Sequence, residues 1–182
     1  MFVRTPRLLL RPGWIEDAPA LATAIGEEAI VRNLARVPYP YEETDAHAFL
    51  AMGEDARLPR LLVFARTLGA PRLIGGCGLH LEADGDVALG YWIARPHWGL
   101  GYATEAARAV LALGRTLGHR RIVAGHFTDN PASGHVLRKL GFRPTGHVVR
   151  RHSLARGGET ACALYEHAED DSAGDRPVAL AA

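Results

Sequence analysis

The segment A-L-G-Y-W-I-A-R-P-H-W-G-L-G-Y-A-T-E-A, Ala88 to Ala106, most limits the folds open to this chain, because it joins a strand, a glycine-bearing turn and a helix start without a break. Val87 to Ile93 is apolar and β-prone, Arg95-Pro96 ends it, and Thr104 onward reads as helix. Between them the backbone N–H groups from Gly99 to Thr104 gather at the positive end of a helix dipole, a place suited to an anion such as a pyrophosphate. Spacing argues against two common phosphate loops. A P-loop ends in Gly-Lys-Ser/Thr, whereas this turn ends Gly101-Tyr102-Ala103-Thr104 with no lysine. A dinucleotide fingerprint needs a third glycine where Thr104 stands, and an acidic residue ~20 positions further on after a new strand, which is missing.

The rest of the chain alternates strands and helices. Leu8-Leu9-Leu10 reads as a first strand ended by Pro12-Gly13. A helix follows, capped by Glu16 or Asp17 and closed by Gly26, with Leu21, Ala24 and Ile25 on its buried face. Ile30 to Leu34 is a short helical segment, Val37-Pro38-Tyr39-Pro40-Tyr41 a stiff aromatic loop, and Thr44 caps a helix through Glu54. Leu61 to Thr67 and Leu73 to Leu81 make a hairpin around Gly69-Ala70-Pro71, and Asp84-Gly85-Asp86 turns into the Val87 strand. Ala103 to Leu117 carries Ala106, Val110, Leu113 and Leu117 on one stripe before Gly118. Arg121 to Thr128 is a strand parallel to Val87–Ile93, and Pro131 opens a helix that runs to Gly141. His147 to Ser153 and Thr160 to Glu166 form a last pair around Arg156-Gly157-Gly158. From Ala168 nothing apolar enough to bury remains, so residues 1–167 read as one domain and 168–182 as a disordered tail.

A length of 182 residues with 48% hydrophobic content suits one mixed α/β core. A net charge of +1 gives no bulk attraction to nucleic acid or an anionic membrane. No apolar run approaches the ~18 residues that span a bilayer, and the N-terminus has no charged stub followed by an apolar block, so a cytoplasmic protein is expected. Cys77 and Cys162 are too few and too far apart for a disulfide framework or a metal clamp, and both read as buried thiols.

The turn segment resembles motif A of the GNAT superfamily of acetyl-CoA-dependent N-acetyltransferases, written Arg/Gln-x-x-Gly-x-Gly/Ala, with Trp98, Gly101 and Ala103 in those places. W-G-L-G-Y-A-T-E-A is most similar to the ribosomal-protein N-terminal acetyltransferase (RimJ/RimL-type) branch, where an aromatic commonly replaces the first Arg/Gln. Two further blocks support the resemblance: T-P-R-L-L-L-R-P with W-I-E-D-A from Thr5 to Ala18, and D-N-P-A-S-G-H-V-L-R-K-L-G-F from Asp129 to Phe142.

The resemblance implies a central, mostly antiparallel mixed sheet with a V-shaped splay between two parallel strands, flanked by helices. It implies acetyl-CoA along the Ala88–Ile93 strand edge, held by Trp92, Ile93, Trp98, Gly99, Leu100, Gly101, Tyr102, Ala103, Thr104, Asn130 and Ser133. Strand N–H groups near Ile93 then polarise the thioester carbonyl. Tyr39 and Tyr41 are expected at the acceptor mouth, and Arg138 and Lys139 are candidates for the cofactor's 3′-phosphate. Two departures matter. The family's tyrosine seven residues after the motif asparagine is here Leu137, so Ser133 is the candidate proton donor to the leaving thiolate; the family's strand glutamate is here Ala88, so His126 becomes the preferred base, with His80 at the end of another strand. The expected reaction is acetyl transfer to a primary amine, either a protein N-terminus or a small molecule. The alternatives are an acyl-CoA-binding sensor with little turnover, and a nucleic-acid or ribosome contact through Arg150-Arg151-His152 and Arg156, which the net charge disfavours. A homodimer is the default assembly.

Overall fold

Eight strands form one sheet in the order β1-β2-β3-β4-β5-β6-β8-β7 in the computed structural model, which describes residues 1–66 and 69–168. The strands are β1 (Val3–Arg4), β2 (Leu8–Arg11), β3 (Arg60–Ala65), β4 (Arg72–Leu81), β5 (Val87–Ile93), β6 (Arg121–Phe127), β7 (Arg143–Ser153) and β8 (Gly158–Ala168). The helices are α1 (Ala18–Ile25), α2 (Glu28–Val31), α3 (Glu43–Ala51), α4 (Tyr102–Thr116) and α5 (Pro131–Lys139). Every neighbouring pair is antiparallel except β5 and β6, which the crossover through α4 makes parallel. This is the mixed architecture expected from the sequence.

β3 shows how the sheet divides the core. Leu61, Val63 and Ala65 join the cluster built with α4 and α5, while Leu62 and Phe64 join the cluster under α1–α3 on the opposite face. The unbroken apolar run L-L-V-F-A reflects burial on both faces. α4 lies so close to the sheet that a Cβ at Gly114 would sit 3.0 Å from Leu79 and 3.1 Å from Ile122. Its buried stripe is therefore Tyr102, Ala106, Ala107, Val110, Leu111 and Gly114, rotated from the expected one, with Leu113 and Leu117 half-buried.

Local chemistry shifts several element ends. The Asp17 carboxylate accepts from the Trp14 N–H (2.8 Å) and the Arg11 guanidinium (2.7 and 2.8 Å), so it closes the short 3-10 turn Ile15–Asp17 and makes no side-chain cap on α1. α3 begins one residue before Thr44, because the Glu42 N–H donates to Asp45 at 2.8 Å, and it ends at Ala51 instead of Glu54. β7 starts at Arg143 and is interrupted by an irregularity between Pro144 and Val148, where Gly146 takes a φ of 82°. Ala168 ends β8; the rest of the expected tail and the Thr67 strand end lie outside the described residues. Cys77 and Cys162 are free and buried.

Candidate active site

β5 and β6 share one paired position, Ala88 with Val123, and then part. On β5 the Ala94 N–H donates to the Ile74 carbonyl of β4 at 2.8 Å. Strand alternation therefore turns the backbone of Gly90 and Trp92 toward β4, and that of Tyr91 and Ile93 toward the gap. The Ile93 carbonyl accepts from the Trp98 indole N–H at 2.6 Å. The gap opens into a continuous cleft of about 1930 Å³ that reaches the Gly99–Thr104 turn at one end and α2, Tyr41 and Arg151 at the other.

The turn is shaped by two left-handed glycines, Gly99 (φ 74°) and Gly101 (φ 80°). A side chain at either position carries the strain of that region, about 1–2 kcal/mol. Gly101 is the N-cap of α4, so no side-chain oxygen covers the N–H groups of the first turn, and nothing lies within 4 Å of a Cβ built on Gly99. Arg7 and Glu105 hold the turn from outside. Arg7 donates to the Leu100 carbonyl (2.9 Å) and to Glu105 (2.6 Å), and Glu105 also accepts from the Thr5 hydroxyl (2.6 Å) and the Arg7 N–H (2.9 Å). Burial works against the Glu105 charge, but these three donors and the positive charge of Arg7 prevail and hold its carboxyl below the usual range. The Arg7 guanidinium stacks over the buried Tyr102 ring at 4.5 Å. Tyr102, Ala103 and Thr104 line the cleft with Trp98 and Gly99; Leu100 does not, its side chain being half exposed outside it.

Across the gap, Asn130 caps α5 by accepting from the Ser133 N–H at 3.4 Å. The Ser133 hydroxyl meets the Tyr91 hydroxyl at 2.8 Å, and Tyr91 also lies 3.2 Å from the Ser133 carbonyl. When Tyr91 donates to Ser133 Oγ, the serine hydrogen is free to point into the gap. Burial pushes the Tyr91 phenol up to about 12, so it stays protonated. The sequence names Trp92 and not Tyr91 among the residues expected to hold the cofactor; alternation puts the two on opposite faces, and the gap gives the Tyr91 hydroxyl its partner. Trp92 lies on the other face, its indole within 2.6 Å of a Cβ built on Gly76.

His126 lines the cleft, but its ring sits beneath α5. The Nδ1–H donates to the Phe127 carbonyl (2.8 Å), the ring packs on Tyr165 (5.4 Å), and Nε2 faces Gly134, 2.7 Å from a Cβ built there. Tyr41 lines the acceptor end, where burial raises its phenol to about 12. Tyr39 is exposed and is not brought to the cleft. Arg138 donates to the Tyr165 hydroxyl at 3.2 Å, whereas Lys139 lines the cleft. The basic cluster is engaged within the chain: Arg150 with Glu159, Arg151 with Glu82, and Arg156 doubly with Asp129 at 2.8 and 2.9 Å. That pairing leaves little charge there to attract an acidic surface.

Residues 7–143 match the model of the acetyltransferase (GNAT) domain. Among curated proteins, an uncharacterized N-acetyltransferase, YoaA of Bacillus subtilis (strain 168), is 31% identical over 166 residues, 85% of this chain and 89% of that one. Among solved structures, RimL, described as the ribosomal L7/L12 alpha-N-protein acetyltransferase in complex with coenzyme A, superposes with a TM-score of 0.77 at 19% identity, covering 93% of this chain and 99% of that one. The microcin C7 self-immunity acetyltransferase MccE, solved with acetyl-CoA and AMP, gives 0.75 at 17% identity, covering 91% of this chain and 94% of that one. The chain belongs to the GNAT acetyltransferase family. It is an N-acetyltransferase whose acetyl donor is acetyl-CoA, and the uncapped first turn of α4 and the gap ending on Tyr91 and Ser133 fit that donor. Among the described residues no helix is long and apolar enough to cross a membrane.

Proposed function

We propose that this N-acetyltransferase acetylates the α-amine at a protein N-terminus by direct attack on acetyl-CoA held in the gap between β5 and β6. The observation that carries direct attack is the continuity of the cleft through that gap, from the Gly99–Thr104 turn to the α2–Tyr41 wall, so that donor and acceptor meet without a covalent enzyme intermediate. In this reading Gly99 to Thr104 bind the pyrophosphate, with Trp98 and Asn130 beside the donor. The Tyr91 and Ile93 backbone N–H groups face the carbonyl oxygen as charge develops on it. Ser133 donates a proton to the leaving thiolate, and Tyr91 orients Ser133.

The acceptor end, bordered by Tyr41 and α3 and continuous with the rest of the cleft, and the fold likeness to RimL support an extended protein terminus as acceptor. A cytoplasmic location and a homodimer belong to the same reading. A small-molecule amine is the competing acceptor, and a silent acyl-CoA sensor is disfavoured by the Tyr91–Ser133 pair in the gap. The test adds purified enzyme and acetyl-labelled acetyl-CoA to a bacterial lysate beside a no-enzyme control. Label in a discrete protein, lost when its N-terminus is blocked, is expected. Label confined to small molecules overturns the N-terminal acceptor, and acetyl-CoA binding with no label transferred to any protein of the lysate overturns it as well.

A further inference from the structure

We propose that His80 is the general base of this site and that Glu82 holds its ring for the task; the proposal rests on the reading of the cleft as an amine acetyltransferase site. In the β4–β5 ladder His80 stands opposite Ala88, so its side chain shares a sheet face with Ala88, Gly90 and Trp92 and with the acceptor wall. That face is where the carboxylate missing at Ala88 would project. The ring edge bearing Nδ1 and Cε1 lies over Gly90, at 3.5 and 3.4 Å from a Cβ built there, so the glycine leaves a floor across which an amine reaches Nδ1. Nε2 lies 3.3 Å from Glu82 Oε1. The same carboxylate accepts from Arg151 of β7 at 2.8 Å and lies 3.6 Å from Arg36, beyond α2. His80, Glu82, Arg36, Arg151, His152 and the Cys162 thiol of β8 all line the cleft at this end, and burial pushes that thiol up, so it stays protonated and uncharged beside the Glu82 carboxylate.

The bond to His80, opposed by burial and assisted by Arg151, brings the Glu82 carboxyl down to about 2, so at neutral pH it is an anion that takes the Nε2–H. Nδ1 is then the free lone pair. His126 keeps its lone pair on Nε2, since its Nδ1–H goes to the Phe127 carbonyl, but that atom faces Gly134 of α5 and not the Ala88–Gly90 face on which His80 lies. In the step, the neutral amine forms its N–C bond to the thioester carbon and its proton passes to His80 Nδ1. The C–S bond breaks with its electron pair on sulfur, which takes the Ser133 proton. Solvent restores Ser133 and removes the proton from His80, leaving an amide and a free thiol.

The experiment measures kcat/KM against pH with acetyl-CoA and two probe acceptors, a peptide whose α-amine is its single amine and 1,5-diaminopentane, using whichever the wild type acetylates faster. His80→Gln is expected to lose ~10²–10⁴-fold in kcat/KM while binding acetyl-CoA within about twofold of wild type. At the acid end the wild-type logarithm falls with a slope near 2, since amine and imidazole must both lack a proton; in His80→Gln the slope is near 1. Glu82→Gln, which keeps the ring but removes the anion, moves the acid limb to lower pH, a shift that loss of packing alone does not produce. A His80→Gln enzyme with the wild-type rate and slope overturns the assignment and leaves acetyl transfer intact. Turnover of the diamine but not the peptide removes the N-terminal acceptor while His80 is still judged on the diamine. Turnover of neither removes the amine-acetyltransferase reading and the base with it.

Discussion

Tyr91 illustrates what a single position can and cannot disclose. Alternation along β5 separates Tyr91 from Trp92, but which face meets the gap depends on where β6 leaves β5. Leu137, expected to be the place of a missing tyrosine, is 1% exposed and packs in the cluster beneath α4 and α5; the phenol in this site comes from β5. Replacing Leu137 with Tyr should therefore not improve turnover and should cost about 1–3 kcal/mol by overpacking, read from denaturant melts. Ser133→Ala should lower kcat by ~10²-fold with little change in the KM for acetyl-CoA. Tyr91→Phe, which removes the hydroxyl that meets the Ser133 hydroxyl and carbonyl, should cost about 1 kcal/mol, or roughly fivefold in kcat. Glu82 also makes acid stability legible. Its folded carboxyl lies near 2 against an ordinary 4.5, so its contribution is complete above the ordinary value and fades as pH falls toward 2. Melts of wild type and Glu82→Gln should differ at pH 7 and converge across that interval; a gap that widens on acidification contradicts the assignment.

At the scale of elements, the strand–turn–helix unit of β5 and α4 could be read directly, because glycine, proline and apolar periodicity agree along it. Element ends followed side chains that local pattern does not rank, as at Glu42 and Asp45, and β1 is only the two residues Val3–Arg4. The Thr5–Arg7–Glu105 staple was invisible, since it joins residues 98 and 100 positions apart in the chain. It fixes the turn from behind, so Glu105→Ala should lower stability by ~2 kcal/mol and raise the KM for acetyl-CoA while leaving the acceptor KM unchanged. Gly101→Ala should act on the same two quantities through backbone strain at φ 80°. Thermal melts beside steady-state kinetics separate these effects from damage to the chemistry.

For the whole molecule, the sheet is the device that builds the site. Its mostly antiparallel pairing is interrupted once, by the crossover through α4, and the two parallel strands diverge where no further register holds them together. The three sequence blocks reach that place from β2, from the α4 turn and from α5, so fold and donor site were legible early. The acceptor side was not, because it is assembled from α2, the Tyr41 loop, the end of β4 and β7, none of which carries a contiguous motif. The most direct measurement is a crystal structure of the protein with coenzyme A. The account predicts the pyrophosphate on the N–H groups of Gly99 to Thr104, and the sulfur in the β5–β6 gap within hydrogen-bonding reach of Ser133. A coenzyme lying outside the gap, or a sulfur remote from both Ser133 and Tyr91, contradicts it.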